Sequence, residues 1–240
     1  MNTRHTQTFI GAMVLAAMAS ISYAASQSHT IHSFYALAVL ALASATSRMK
    51  VKLPGIEGNM SVNLPFLLMA VVTLSAVEAV AIACLSTVVQ CWPKQGGKFK
   101  PEQMLFNVSM MGLAASLANM VWNAGWAKAA WATQPLMLAA TTATFFLGQT
   151  IPVAAIIKLT QGESMRKMWT NIAQMSFPYF VLSAGVTSML NLVSARFGWQ
   201  GAVVIFPLMY VVHRSYRLYF AREAEALQAP VLARAASASA

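Results

Sequence analysis

Glu78 is the one carboxylate of this chain that falls inside a hydrophobic run; Asp is absent and only six residues are acidic. An ionisable group within an apolar segment is by default a ligand or proton site. Glu78 also closes the sequence Ser75-Ala76-Val77-Glu78, whose Ser-x-x-Glu spacing is that of a capping box. There the serine oxygen takes the amide of the third helical residue and the carboxylate returns to the serine amide. The capping role is the preferred reading, with a ligand role as the alternative. Asn107, Asn119 and Asn123 follow at spacings of twelve and four along one helical run. Asn119 and Asn123 either line a polar cavity or hydrogen-bond between helices. Gln149 and the group Thr141, Thr142 and Thr144 pose the same choice. Trp122, Trp126 and Trp131 gather at one end of that run, with Trp199 further on. They form an aromatic belt or the wall of a pocket for a flat or cationic solute. The candidate ligand-binding residues are therefore Glu78, Asn119, Asn123, Trp122 and Trp126. Arg214, Arg217 and Arg222 close the last apolar run and are candidates for contact with a partner or with anionic lipid.

No enzyme signature accompanies them. The chain has no metal-binding His/carboxylate pair, no Gly-x-Ser-x-Gly, no phosphate loop and no Asp for acid–base work, so neither catalysis nor a cofactor or metal is expected. Cys84 and Cys91 are seven residues apart on one helical run, roughly 10 Å, too far for a disulfide. The net charge of +10 would suggest nucleic acid in a soluble protein, but apolar residues make up 58% and charged residues 9%. A soluble domain carries about 25% charged residues, so the basic residues read as topology determinants and nucleic-acid binding is not expected.

The elements that must position these residues are eight apolar runs: Phe9–Ala25, Ile31–Ser47, Leu64–Leu74, Ala76–Trp92, Pro101–Ala124, Pro135–Leu159, Ser176–Ala195 and Gly201–Phe220. In lipid each must be helical, because its backbone groups have no water to bond. Residues 64–92 are too long for one ordinary crossing, and the box at Ser75 divides them into two short helices joined by a tight turn. Charge supports the division. With it, fourteen of the sixteen Lys and Arg residues fall on one side and only Lys128 and Arg196 on the other. Without it the bias collapses to six against ten. The positive-inside rule then puts both termini in the cytoplasm. The first run, with Arg4 before it and Ser22-Tyr23-Ala24 near its end, also has the form of a signal peptide; retention as a helix is the preferred reading. Pro101 suits a helix start and Gly162 a helix end. Ser164–Asn171 reads as a short amphipathic helix on the surface, and Pro54-Gly55 as the turn of a small interfacial hairpin between 50–52 and 60–63. The expected architecture is an all-α, polytopic integral membrane bundle of about eight segments. Residues 1–223 form the membrane domain and 224–240 an Ala/Ser-rich cytoplasmic tail, in a bacterial inner membrane with lipid as its first partner.

Several short stretches, in order, carry a resemblance: Val51-Lys52-Leu53-Pro54-Gly55, Met60-Ser61-Val62-Asn63, Val89-Gln90-Cys91-Trp92, Leu105-Phe106-Asn107-Val108, Ser176-Phe177-Pro178-Tyr179, Phe197-Gly198-Trp199 and His213-Arg214-Ser215-Tyr216-Arg217-Leu218-Tyr219. Over most of residues 35–223 the chain resembles the N-terminal membrane region of bacterial signalling proteins that carry a C-terminal HD-GYP phosphodiesterase or GGDEF cyclase domain. The resemblance implies a sensory or ligand-binding membrane module. It does not carry over the enzymatic activity, because here the last helix leads into the Ala/Ser tail. The expected function is thus a sensor that binds a small molecule and relays through its last helix to an unidentified protein partner. The short, interrupted helices also look like the substrate-binding subunits of energy-coupling-factor transporters, which implies a solute-binding transport component as the alternative.

Overall fold

The computed structural model describes residues 3–26, 33–52, 59–93, 99–125 and 133–197, with positions 207, 210, 211, 214, 215 and 218 of the last apolar run. Among these residues the fold is seven helices and one two-stranded hairpin: α1 Thr3–Ser26, α2 Ser33–Ser47, β1 Lys50–Lys52, β2 Asn59–Ser61, α3 Leu64–Thr73, α4 Ala76–Cys91, α5 Pro101–Trp122, α6 Gln134–Gln161 and α7 Met165–Phe197. Four helices are long and apolar enough to cross a membrane, over Arg4–Ser26, Pro101–Trp122, Gln134–Gln161 and Met165–Val193. Large apolar side chains such as Leu15, Phe34, Leu37, Phe177 and Leu192 face outward. Lipid, not water, is the solvent that tolerates such a surface. The eighth expected segment falls mostly outside the described residues, although the six described positions within it are helical.

The division at Ser75 is present. Leu74 and Ser75 are both extended, and the capping box closes: Glu78 Oε2 accepts from the Ser75 amide at 3.1 Å and from Ser75 Oγ at 2.7 Å. The Glu78 amide donates back to Ser75 Oγ at 3.4 Å. The result is a ten-residue helix followed by a sixteen-residue one, about 15 and 24 Å long at 1.5 Å per residue. Neither spans the ~30 Å hydrocarbon core alone. α3 is buried from Leu64 through Val71, on every face, as an all-apolar helix must be when it lies inside a bundle.

Side-chain contacts order the helices by height. Phe9 near the start of α1 packs on Phe106 near the start of α5, with ring centroids 6.1 Å apart. Asn107 bonds Cys91 at the end of α4. Gly148 and Gln149 of α6 sit against Ala114 and Met111 of α5, and Trp169 at the start of α7 donates to Thr150 of α6. The start of α1, the ends of α4 and α6 and the starts of α5 and α7 therefore share one end. That end carries Arg4, Lys100, Lys158, Arg166 and Lys167 and is the basic end. The hairpin is there too. Lys50 pairs with Ser61 in register and shares a cavity with Gln90 and Lys100. The α3–α4 pair thus enters and leaves at the basic end, and the Val71 carbonyl near its turn meets Asn119 close to the far end of α5.

Close packing follows from small residues. A Cβ on Gly112 would stand 2.9 Å from Cys84 Sγ, and one on Gly148 3.0 Å from Ala114 Cβ. Gly162 caps α6 at φ 75°, in the left-handed region glycine occupies freely. One expectation is corrected. Residues 164–171 do not form a separate surface helix, because α7 runs unbroken from Met165 to Phe197 with Pro178 inside it. Just after that proline, Phe180 packs edge-on against Phe146 of α6 and Tyr179 Oη accepts from the Leu64 amide of α3, so tertiary contacts hold the helix through it.

Candidate functional site

At the end opposite the basic residues, α5, α6 and α7 part around a cleft of about 230 Å³. Trp122, in the last turn of α5, forms one wall. Gln134, Pro135 and Leu138 from the first turns of α6 form the second. Ser188, Asn191 and Leu192 of α7 form the third; their spacing of three and four puts them on one helical face. The volume lies below the ~300–1,000 Å³ typical of sites that enclose a drug-sized ligand, so a small solute or a single ring fits.

The polar inventory of the cleft is uneven. Asn191 Oδ1 is buried and has no hydrogen-bond partner among the described residues. Leaving such an acceptor unmet costs about 1–3 kcal/mol, which a ligand donor would recover. Thr141 and Thr142, one turn deeper on α6 than Leu138, carry buried hydroxyls in the same condition. Thr144 and Gln149, from the same stretch, are engaged with the Ala140 carbonyl and Met111 Sδ.

The residues expected from sequence are distributed as follows. Trp122 lines the cleft. Asn119 is buried one turn below it, but its amide donates to the Val71 carbonyl at 2.8 Å, and Asn123 Nδ2 donates to Asn119 Oδ1 at 3.1 Å. The pair supplies a donor to one of the last-turn carbonyls of α3, which have no partner within their own helix. The arrangement braces α3 against α5. Glu78 is buried and engaged in the capping box. Asn107 lies at the other end, donating to Cys91 Sγ at 3.4 Å. Trp126 falls outside the described residues, as do Arg217 and Arg222; Arg214 is helical and exposed. Among the described residues no cluster of His, Cys, Asp or Glu could hold a metal ion. Gln134, Ser188 and Asn191 were not singled out from sequence. They come from helices more than fifty residues apart, and only the way the helices face each other brings them together.

The chain belongs to the MASE9 family, a family of membrane-associated sensor domains, whose model matches residues 9–219. No curated protein and no solved structure matches it. The family match covers a membrane sensor-type domain and does not extend to an HD-GYP or GGDEF output.

Proposed function

We propose that this MASE9 sensor domain binds a small neutral solute with an apolar or aromatic face and one hydrogen-bond donor in the α5–α6–α7 cleft, and relays occupancy to a signalling partner at the basic end. The observation that carries the reading is the unpaired Asn191 Oδ1 beside the Trp122 wall. The indole offers a flat apolar surface and the amide oxygen a buried acceptor that is expensive to leave empty. α7 carries Asn191 near one end and Trp169 near the other, over 33 residues or about 50 Å. A ligand that favours one of two arrangements of α7 would be felt at the basic end. In this reading the basic end faces the cytoplasm of a bacterial inner membrane, as the positive-inside bias supports. Arg214, Arg217 and Arg222, at the end of the last apolar run, meet the partner or anionic lipid, each worth about 1 kcal/mol of lipid attraction near the surface. The domain itself carries out no catalysis.

Native mass spectrometry of the protein purified from its own membranes tests this. A small molecule should be retained by the parent protein and lost from Trp122→Ala and Asn191→Leu, each weakening binding about tenfold or more. Equal retention in both variants would remove the cleft from the reading. Replacing Arg214, Arg217 and Arg222 with Gln should weaken recovery of the partner in a pull-down. Recovery of an ATPase and a coupling subunit instead would replace the sensor with a solute-transport component.

A further inference from the structure

The basic end holds a second cavity, of about 280 Å³, and its chemistry is the opposite of the first. Lys50 enters it from β1, Gln90 and Cys91 from the end of α4, and Lys100, Gln103 and Asn107 from the start of α5. Positions 100, 103 and 107 share one helical face. We propose that this cavity binds a phosphate-bearing anion, supplied either by an anionic lipid headgroup or by a soluble phosphate compound.

Three observations carry this. Two lysines flank one void and no carboxylate lines it. Among the described residues neither lysine is ion-paired, and the ion pair found there is Lys167–Glu163. Two like charges around a shared space repel, and an anion between them reverses that energy. The remaining polar groups are side-chain amides. Asn107 Nδ2 directs one of its two hydrogens at Cys91 Sγ at 3.4 Å, a weak acceptor that an anionic oxygen would outcompete. Lysine ammonium groups serve phosphate as mobile point charges, three donors each. Within three residues of the lining positions the sequence adds Lys52, Lys94 and Lys98 against Glu102, so the balance of charge around the cavity stays positive and favours anions over cations. The cavity also joins β1 to the ends of α4 and α5, so an occupant would tie the hairpin to the helix pair that carries α3. This site lies at the other end from the tryptophan cleft and does not depend on it.

The test uses the full chain. In one arm, protein from phosphatidylcholine vesicles containing phosphatidylglycerol is examined by native mass spectrometry for retained lipid. In the other, thermal unfolding in neutral detergent is followed with inorganic phosphate against chloride at equal ionic strength. Lys50→Gln/Lys100→Gln is compared with Lys158→Gln/Lys167→Gln, which removes two charges at the same end but outside the cavity. At least one probe should bind the parent and the control alike and the cavity variant about tenfold more weakly. Retained phosphatidylglycerol without a phosphate effect assigns a lipid headgroup; a phosphate effect assigns a soluble compound. Binding of neither probe, or equal loss in both double variants, overturns the proposal. Lys100→Gln alone, at an exposed helix-start position, gives the same reading should the double variant fail to fold.

Discussion

The two cavities are close in size, about 230 and 280 Å³, yet they are built in different ways. The tryptophan cleft is walled by the bodies of three long helices and has one unmet acceptor. The lysine cavity is walled by a strand and two helix ends and has two lysines without an ion pair among the described residues. α3, buried from Leu64 through Val71, lines neither of them. It starts beside the hairpin at the basic end, and its last turn is tied to Asn119 of α5. The difference teaches that charge, rather than size, distinguishes the two cavities.

The sharpest way to break that contrast is to ask which end faces the outside. In a Cys84→Ala/Cys91→Ala background, Thr133→Cys beside the tryptophan cleft should be labelled by a membrane-impermeant thiol reagent added to intact cells. Lys158→Cys at the basic end should be labelled only after the cells are opened. Both positions are exposed, so accessibility within the protein does not confound the readout. The effect is all or none; reversed labelling would put the anion cavity outside and invert the proposed direction of signalling.

Next in size is the anchor of α3. Asn119→Leu removes the donor to the Val71 carbonyl and the acceptor that Asn123 uses. A buried carbonyl left unmet costs about 1–3 kcal/mol, so unfolding in detergent should show about 2 kcal/mol of destabilisation. Asn107→Leu, at the lysine cavity, gives up a long contact to sulfur in a half-buried position and should cost under about 1 kcal/mol. Equal costs would mean that α3 is no better fixed at its inner end than the open cavity is at the basic end.

Those two asparagines also mark what the sequence could convey. Their helical spacing suggested a shared face, but spacing along one helix does not say what the face meets. Asn119 meets α3, Asn107 meets α4, and neither lines the cleft. Trp122 was singled out, but its position at a helix end suits an aromatic belt as well as a pocket wall, and only the facing helices place it at the cleft. Gln134, Ser188 and Asn191 were not, since no local pattern encodes the meeting of α6 and α7. Local signals served the fold better. Ser75 and Glu78 located the break and Gly162 the end of α6, because caps are settled within a few residues; the expected hairpin is present as β1 and β2, while its expected turn at Pro54-Gly55 lies outside the described residues. The surface helix expected at 164–171 failed because polar residues at a helix start look the same whether the helix stops or continues into the membrane.

The smallest effect separates the break from both cavities. Ser75→Ala deletes the oxygen that takes the Glu78 amide and the hydroxyl that donates to Glu78 Oε2; loss of such a cap costs about 1 kcal/mol. Glu78→Gln keeps an acceptor for the Ser75 amide and loses the charge at the start of α4, worth roughly 0.3–1 kcal/mol against the helix dipole. Thermal unfolding should therefore rank Ser75→Ala at or slightly below Glu78→Gln in stability, and both variants should retain the cleft ligand and the anion as the parent does. Glu78 is buried, but its place at a helix N-terminus accounts for a carboxylate within an apolar stretch. A folded Glu78→Gln protein that lost either ligand, or lost a pH-dependent response, would move Glu78 from the break into a binding site and make the α3–α4 turn a third functional region.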